Sequence, residues 1–462
     1  MWTPTLNDRA QPKYLALVEA ITRAIESGEL KVGERLPPQR RLAWNLGLNP
    51  STTMQAYREA ARRHLVSGEV GRGTYVLAGS KEATLFRLKQ PSERPALIDL
   101  CTNVPVTDED SQDEVLALST LINSGQAQRL QRYLTADDLA AGRAQGAAWL
   151  QARGLSVPTE NIMLCNGAQQ GVFTALLSLC QPGEPVIVEA FTAPGIKAAC
   201  RQLRLPMHGV ALDRCGILPE ELDRMARATG AKIVVLTPTL QNPTSTIMSP
   251  QRQREIAEVA RQHDLLIIED DVYGALTSSP PLTRLLGKHG LLVTSLSKTV
   301  APGLRVGWIT AEPSVLERID PHAQATHWGV SPLCLSIACQ WINDGTAQRR
   351  LAWQAEETTQ RWRLAKKTLG AALYQAQSPS PHIWVTSSLP SMKLAEACRA
   401  VQVDVVPAEV FAVKDHDTHA IRISLCAASN RAQLKIALER VAQIVGANGT
   451  LQIEQDGSTF NR

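Results

Sequence analysis

Four short runs constrain this chain more than anything else in it: "EPVIVEA", "AKIVVLTP", "LLIIEDD" and "GLLVTSLSK". Each stays apolar without alternating, then breaks to polar residues. A strand with one wet face alternates. A strand that is apolar throughout is covered on both faces, as in a parallel sheet between layers of helices. "REIAEVARQH" sits between two of the runs with the spacing of a crossover helix. An α/β domain is therefore predicted. In such open sheets, ligands bind at the carboxyl ends of the strands. The polar residues that end the runs are the place to look for chemistry.

Those residues form a set. "VVLTPTLQNPTS" leaves Asn242 just past one run. "LIIEDDVYG" puts Asp270 and Tyr273 past the next, and "VTSLSKTV" brings Ser295, Ser297 and Lys298, with Arg305 following. Upstream, "NGAQQGVFTALLSL" places Gly167, Ala168 and Gln169 at the mouth of a helix, where free N–H groups suit a phosphate. A carboxylate, an amide, a phenol, a primary amine and a phosphate cradle are what pyridoxal 5'-phosphate requires. Lys298 supplies the amine for a Schiff base. Asp270 pairs with the protonated ring nitrogen. Asn242 and Tyr273 donate to the phenolic oxygen, which favours its anion and lowers the proton affinity of the imine. Ser295, Ser297, Arg305 and the 167–169 amides take the phosphate, with roughly 1.5–3 kcal/mol for each charge-assisted bond.

The chain has 462 residues, enough for two or three domains, and is 44% hydrophobic, as globular proteins are. No apolar run approaches the roughly 20 residues of a membrane span. The first residues have no signal-peptide layout, so a cytoplasmic protein without a membrane partner is expected. Nine cysteines without a C-x-x-C pair read as thiols in a reducing compartment, with no metal site. "HDTH" at 416–419 reads as a solvated loop. The net charge of +4 is unevenly placed. Residues 1–80 hold 11 Lys and Arg against 7 Asp and Glu, and the remainder is balanced at 37 and 37. The excess points to an N-terminal part that meets a polyanion.

That part has its own pattern. Tyr14, Leu17, Val18, Ile21 and Ile25 follow a helical period that Gly28 ends. A second helix is predicted from about Pro38 to Leu46, stopped by Gly47, and a third from Ser51, as N-cap, to about His64. "GEVGRGTYV" reads as strand, turn and strand. The sum is a winged helix-turn-helix over residues 1–78, α with a small β wing. Residues 79–96 are polar and proline-marked, a linker. Residues 97–445 form the α/β domain, which turns from about 330 to a smaller α+β lobe. Residues 446–462 are a polar tail.

"NPT", "EDDVY" and "SLSKTVAPGLRVGW" together resemble the signature of fold-type I, class I aminotransferases. The likeness covers roughly residues 97–445. "GERLPPQRRLAWNLGL", "TTMQAYREA" and "GRGTYV" resemble the GntR-type winged helix. The two in one chain resemble the MocR-type regulators. The resemblance implies a DNA-binding transcription regulator that holds pyridoxal 5'-phosphate in a fold-type I transferase domain, as a head-to-tail homodimer. It implies double-stranded DNA, the cofactor and a small amino compound as partners. It places Arg40, Arg41, Ser51, Thr52, Gln55, Arg58 and Arg72 at the DNA, with Arg62 and Arg63 further along the helix. Pro50 stands where many relatives have arginine. Arg422 in "AIRISL" is implied as the grip on a substrate carboxylate. Tyr133 in "LQRYLT" is implied as the residue a partner subunit lends to the cofactor phosphate. Relatives read P-T-Y-P-G, with the tyrosine stacked on the ring, where this chain has "VEAFTAPG" and Ala193. Either Phe191 replaces that ring, or Phe191 is core and the cofactor is held less tightly. Regulator, working aminotransferase and idle cofactor scaffold all remain open readings.

Overall fold

The computed structural model describes residues 2–6, 12–26, 29–30, 34–62, 65–69, 73–76, 97–125, 130–319, 329–374, 378–414 and 418–448. Gly28, Arg63, Arg72, the 79–96 linker, His416 and Asp417 lie outside them. The chain divides into two compact units, 1–89 and 90–462.

The first unit packs three helices, α1 (Lys13–Glu26), α2 (Gln39–Leu46) and α3 (Pro50–Arg62), against the hairpin β1 (Val66–Glu69) and β2 (Gly73–Val76). Leu17, Val18 and Ile21 of α1 and Leu42 of α2 are fully buried in its core with Ala56, Tyr57 and Ala60 of α3. The Tyr57 hydroxyl donates to the Pro37 carbonyl at 2.6 Å and ties α3 to the start of α2. Gly47 ends α2 at φ 61°, a left-handed conformation that glycine adopts without strain. One detail differs from expectation. Ser51 is not the N-cap of α3; Asn49 is. Its Oδ1 accepts from the Ser51 N–H at 2.9 Å and from the Ser51 hydroxyl at 2.8 Å. Pro50 then takes the first helical position, where its missing N–H costs nothing.

The second unit opens with β3 (Ile98–Asp99), then α4 (Asp113–Asn123) and α5 (Ala136–Ala152). Alternation follows: β4 (Ile162–Cys165), α6 (Ala168–Leu179), β5 (Val186–Glu189), α7 (Pro194–Gln202) and β6 (Met207–Val210). A small hairpin, β7 (Leu212–Asp213) and β8 (Gly216–Ile217), precedes α8 (Pro219–Thr229), β9 (Ile233–Leu236), α9 (Pro250–His263) and β10 (Leu266–Asp270). Then come β11 (Gly290–Ser295) and β12 (Gly307–Ala311). Seven strands form one sheet in the order β4-β12-β11-β10-β9-β5-β6. All pairs are parallel except those made by β12. The predicted crossover helix is α9. Successive residues of β11 serve opposite cores: Leu291 and Val293 pack with α6 and α7, and Leu292 packs with α5.

α10 (Pro332–Asn343) packs back on α5 and Trp308 in the core of the large lobe, and the remaining elements build the smaller lobe: the long α11 (Thr346–Leu369), β13 (His382–Thr386), α12 (Ser391–Ala400), β14 (Val403–Asp404), β15 (Val406–Pro407), β16 (Ala420–Ser424) and α13 (Arg431–Asn448). Its sheet is β13-β16-β15, antiparallel, and β14 pairs with β3 from the start of the unit. The final helix therefore runs three residues into the segment read as tail. The 416–419 segment is anchored at one end: Thr418 is buried, and its carbonyl accepts from the Ser391 N–H at 2.8 Å.

Trp308 of β12 sets the spacing of α5 from the sheet. The fully buried indole donates to the Gly142 carbonyl at 3.0 Å, and a Cβ at Gly146 would stand 2.4 Å from the ring. Gly146→Ala should destabilise the protein by about 1–3 kcal/mol, because the indole has nowhere to move. Gly446→Ala in α13, where a Cβ meets nothing within 4 Å, should be neutral or add up to about 1 kcal/mol. Urea melts of both variants check the contrast; equal effects would count against the overlap.

Candidate functional site

The segment between β11 and β12 carries the lysine. Its two ends are pinned, since Ser295 pairs with Gly307 and the Leu296 N–H donates to the Val306 carbonyl at 3.1 Å. Gly307 must be glycine, because a Cβ would fall 2.5 Å from the Thr294 carbonyl oxygen. Within the pinch, Ser297 and Lys298 form a single tight turn, and the buried Ser295 hydroxyl accepts from the Ser297 N–H at 3.3 Å. Arg305 holds φ 52°, an unusual conformation for arginine. It aims one guanidinium nitrogen at the Ser297 hydroxyl (3.3 Å) and the other at the Asn166 carbonyl (3.0 Å). Asn166 leads into Gly167 and α6, whose first-turn N–H groups have no partner within the helix. Arg305 and the start of α6 thus lie together. A Cβ at Gly167 would lie 2.7 Å from the guanidinium. The Gln169 side chain is used elsewhere, donating to the Gly195 carbonyl at 2.8 Å, so its backbone amide is what it offers.

Lys298 Nζ donates to the Asn103 carbonyl at 2.6 Å. Burial first, then the Arg422 and Arg305 charges, push its ammonium down to about 8 against the pull of Asp270. A lysine in that range has neutral amine available near physiological pH. Asp270 ends β10, one strand over. Burial and then Asp271 push its carboxyl up to about 7, and its Oδ1 is buried with no hydrogen-bond partner. Asp271 is different: a buried bidentate pair with Arg153, both contacts 2.9 Å, satisfies it.

Two further groups come from outside the large sheet. Arg422, on β16 of the small lobe, is 3% exposed and has a guanidinium lowered by burial. It donates to Asn242 Oδ1 at 3.2 Å and to the Cys101 carbonyl, and its plane lies 5.1 Å over the Phe411 ring. Its Nε is buried without a partner. With the Asn242 oxygen engaged, the amide nitrogen is the end left to donate. The Tyr273 hydroxyl is buried and accepts from Asn103 Nδ2 at 3.0 Å. Burial pushes its phenol up to about 12, so it stays protonated. Tyr133 is exposed.

The open question at 188–195 is resolved for Phe191. The ring is 4% exposed, packs 5.7 Å from Trp384, and its carbonyl accepts from Gln241 at 2.7 Å. Phe191 belongs to an aromatic cluster with Trp384 and Phe411 and is a core side chain. Ala193 caps α7 and is partly buried.

The arrangement fits the cofactor deduced from the residue types. The unpartnered Asp270 oxygen suits a ring N–H, the pinched lysine a carbonyl, and the Arg305–Ser297–Gly167 corner a phosphate. The sequence profile described as "Aminotransferase class I and II" matches residues 95–441. The chain belongs to that family. A second profile, "Bacterial regulatory proteins, gntR family", matches residues 13–76, which completes the MocR-type pairing of a GntR-like unit with an aminotransferase-like one. The uncharacterized HTH-type transcriptional regulator YdeF of Bacillus subtilis is 26% identical over 444 residues, 95% of each chain. The uncharacterized HTH-type transcriptional regulator YjiR of Escherichia coli is 28% identical over 322 residues, 64% of this chain and 68% of its own. An archaeal alanine:glyoxylate aminotransferase shares the fold, with a TM-score of 0.70 at 23% identity over 80% of this chain and 94% of its own.

Sequence reading of this MocR-type chain missed Asn103, His382 and the Cys101 carbonyl. Asn103 stands in an unpatterned loop. His382 is a lone histidine in the apolar strand "PHIWV", and that contrast was the available signal. A pH effect follows from Asp270. Folded and without cofactor, it keeps its proton to about pH 7, against about 3.9 when unfolded. Its contribution is complete below pH 4 and is lost as pH rises through 7. Between those limits the wild-type apo-protein should lose on the order of 2–4 kcal/mol relative to Asp270→Asn. Urea midpoints at pH 5 and pH 8 measure this, and parallel pH slopes for the two proteins would contradict it.

Proposed function

We propose that this chain is a DNA-binding transcription regulator whose aminotransferase-like domain holds pyridoxal 5'-phosphate on Lys298 and responds to its loading or to an amino compound. The observation that carries the reading is Lys298 itself: a buried amine with a lowered pKa, faced by an unpartnered aspartate oxygen and by an arginine–serine corner beside a helix N-terminus. When bound, the cofactor supplies an electron sink. The residues around it orient and protonate. Asp270 holds a proton at the ring nitrogen. Tyr273 and the Asn242 amide donate to the phenolic oxygen. Ser295, Ser297, Arg305 and the amides of 167–169 hold the phosphate. Ala193 in place of a stacked ring, with Phe191 committed to the core, favours a cofactor that leaves and returns, as sensing requires.

The first unit supports the DNA half. Arg40, Arg41, Ser51, Gln55 and Arg58 are exposed and Thr52 is half-buried, on α2 and α3. Recognition helices meet a groove through their first turns while basic residues take phosphates. A homodimer, head to tail, is supported by α4, which exposes Val115, Leu116, Leu118 and Ile122, and by the exposed Tyr133. Among the described residues no helix is long and apolar enough to cross a membrane. Arg422 favours a second reading, a working aminotransferase: a buried guanidinium with a free Nε suits the carboxylate of an amino acid. Single-turnover spectra with a panel of amino acids separate the two.

The loaded protein should show a visible absorbance band that Lys298→Ala abolishes while circular dichroism stays unchanged. A band that persists in the variant refutes the assignment. Arg40→Ala should lower the log–log salt slope of duplex binding by about 0.9. An unchanged slope would remove Arg40 from the interface.

A further inference from the structure

His382 is fully buried on β13 of the small lobe, yet both of its ring nitrogens are engaged by groups outside that lobe's sheet. Nε2 lies 2.9 Å from the Gln241 carbonyl, which accepts hydrogen bonds and cannot donate them. Nε2 must therefore carry the proton. Burial pushes the imidazolium down to about 3, and the facing cations Arg422 and Lys298 act in the same direction, so the ring is neutral. A neutral ring with its proton on Nε2 leaves Nδ1 as a bare acceptor. Asn103 Nδ2 stands 3.1 Å from that nitrogen and 3.0 Å from the Tyr273 hydroxyl.

The lone pair on Nδ1 decides which way the Asn103 amide faces. Turned over, the amide would set its oxygen against another acceptor. With nitrogen inward, its two hydrogens go to Nδ1 and to the Tyr273 oxygen. The cost of this orientation is visible, because Asn103 Oδ1 is buried with no hydrogen-bond partner. Tyr273, having accepted from Asn103, keeps its own hydrogen to donate elsewhere. The imidazole also packs against the phenol, with ring centres 5.3 Å apart and planes tilted 59°, which limits how the phenol can swing.

We infer that His382 is a positioning residue of the cofactor site: acting through Asn103, it fixes Tyr273 as a donor toward the cofactor's phenolic oxygen. The inference rests on the cofactor reading above and extends it to a residue on the small lobe. The chain of contacts runs from the Gln241 carbonyl through His382 and Asn103 to Tyr273. It joins the end of one large-sheet strand to the end of the next by way of the small lobe and the first loop of the unit. Remove the Nδ1 lone pair and nothing holds the amide. Its unsatisfied oxygen then takes the Tyr273 hydrogen, and the phenolic oxygen loses a donor.

The test is a pH titration of the visible band in full-length protein loaded with pyridoxal 5'-phosphate. A donor on the phenolic oxygen lowers the pH at which the band changes. His382→Leu should move that midpoint upward by about 1–2 pH units, the size of one hydrogen bond to a charged group. Tyr273→Phe should give a similar shift, and the double variant no more than either alone. His382→Asn, which places an acceptor oxygen where Nδ1 stood, should stay close to wild type. A purely structural histidine would lower the melting temperature in both His382 variants and leave the midpoint where it was. That result, in a folded His382→Leu protein, overturns the inference. Should His382→Leu fail to fold, Asn103→Leu breaks the same chain one link later and must give the same upward shift; a wild-type midpoint there overturns it equally. A wild-type protein that shows no band overturns the cofactor reading, and the relay falls with it. A band that is present but indifferent to these substitutions overturns the relay alone.

Discussion

Lys298 and Arg422 are buried close enough that the guanidinium helps to lower the lysine's proton affinity, and the surrounding structure answers that constraint. Burying like charges together is costly unless each finds acceptors. Lys298 is given the Asn103 carbonyl, and Arg422 the Cys101 carbonyl, the Asn242 side chain and the face of Phe411. The loop at 101–103 owes its path to these demands, since two of its three carbonyls point at the two cations. A site of this kind is completed by anions. Arg305 and Arg422 both act on the lysine's charge, and the Nε of Arg422 is buried without a partner.

The small lobe is part of the site rather than an appendage to it. Arg422 and His382 stand on neighbouring strands, in a sheet whose register pairs Trp384 with Arg422 and His382 with Ser424. Ser245 from the large lobe donates to the His382 carbonyl at 2.7 Å, so the strand is fastened at the residue that matters most. Any displacement of this lobe moves the Arg422 guanidinium and, through His382 and Asn103, the Tyr273 phenol.

The parts of this structure legible in the sequence are those whose cause is local. The buried strands declare themselves by unbroken apolar runs, and Lys298, Asp270 and Asn242 by where those runs stop. Phe191 could not be decided in advance, because Trp384 and Phe411, which hold it, arrive from far along the chain. His382 and Asn103 were hidden for the same reason: a lone histidine in a strand and an asparagine in a loop have no meaning until the fold brings them 3.1 Å apart. The cap of α3 was misread for a different cause. Ser51 and Asn49 are both good caps two residues apart, and Pro50 decides for Asn49 because it then takes the first helical position, where its missing N–H costs nothing.

The order in which these contacts can form is built into their separation along the chain. The turn bearing Lys298 is closed at its base by strands that follow one another directly, so it needs little more than its own neighbourhood. The lysine's carbonyl partner is 195 residues away, and the bond from Arg422 to Cys101 closes a span of 321. Contacts at such distances form late, because the entropy of closing the loop must be met before they contribute. On the ribosome, β16 emerges after every other strand described here. A nascent chain can thus display the lysine turn before the guanidinium that will stand near it has been made.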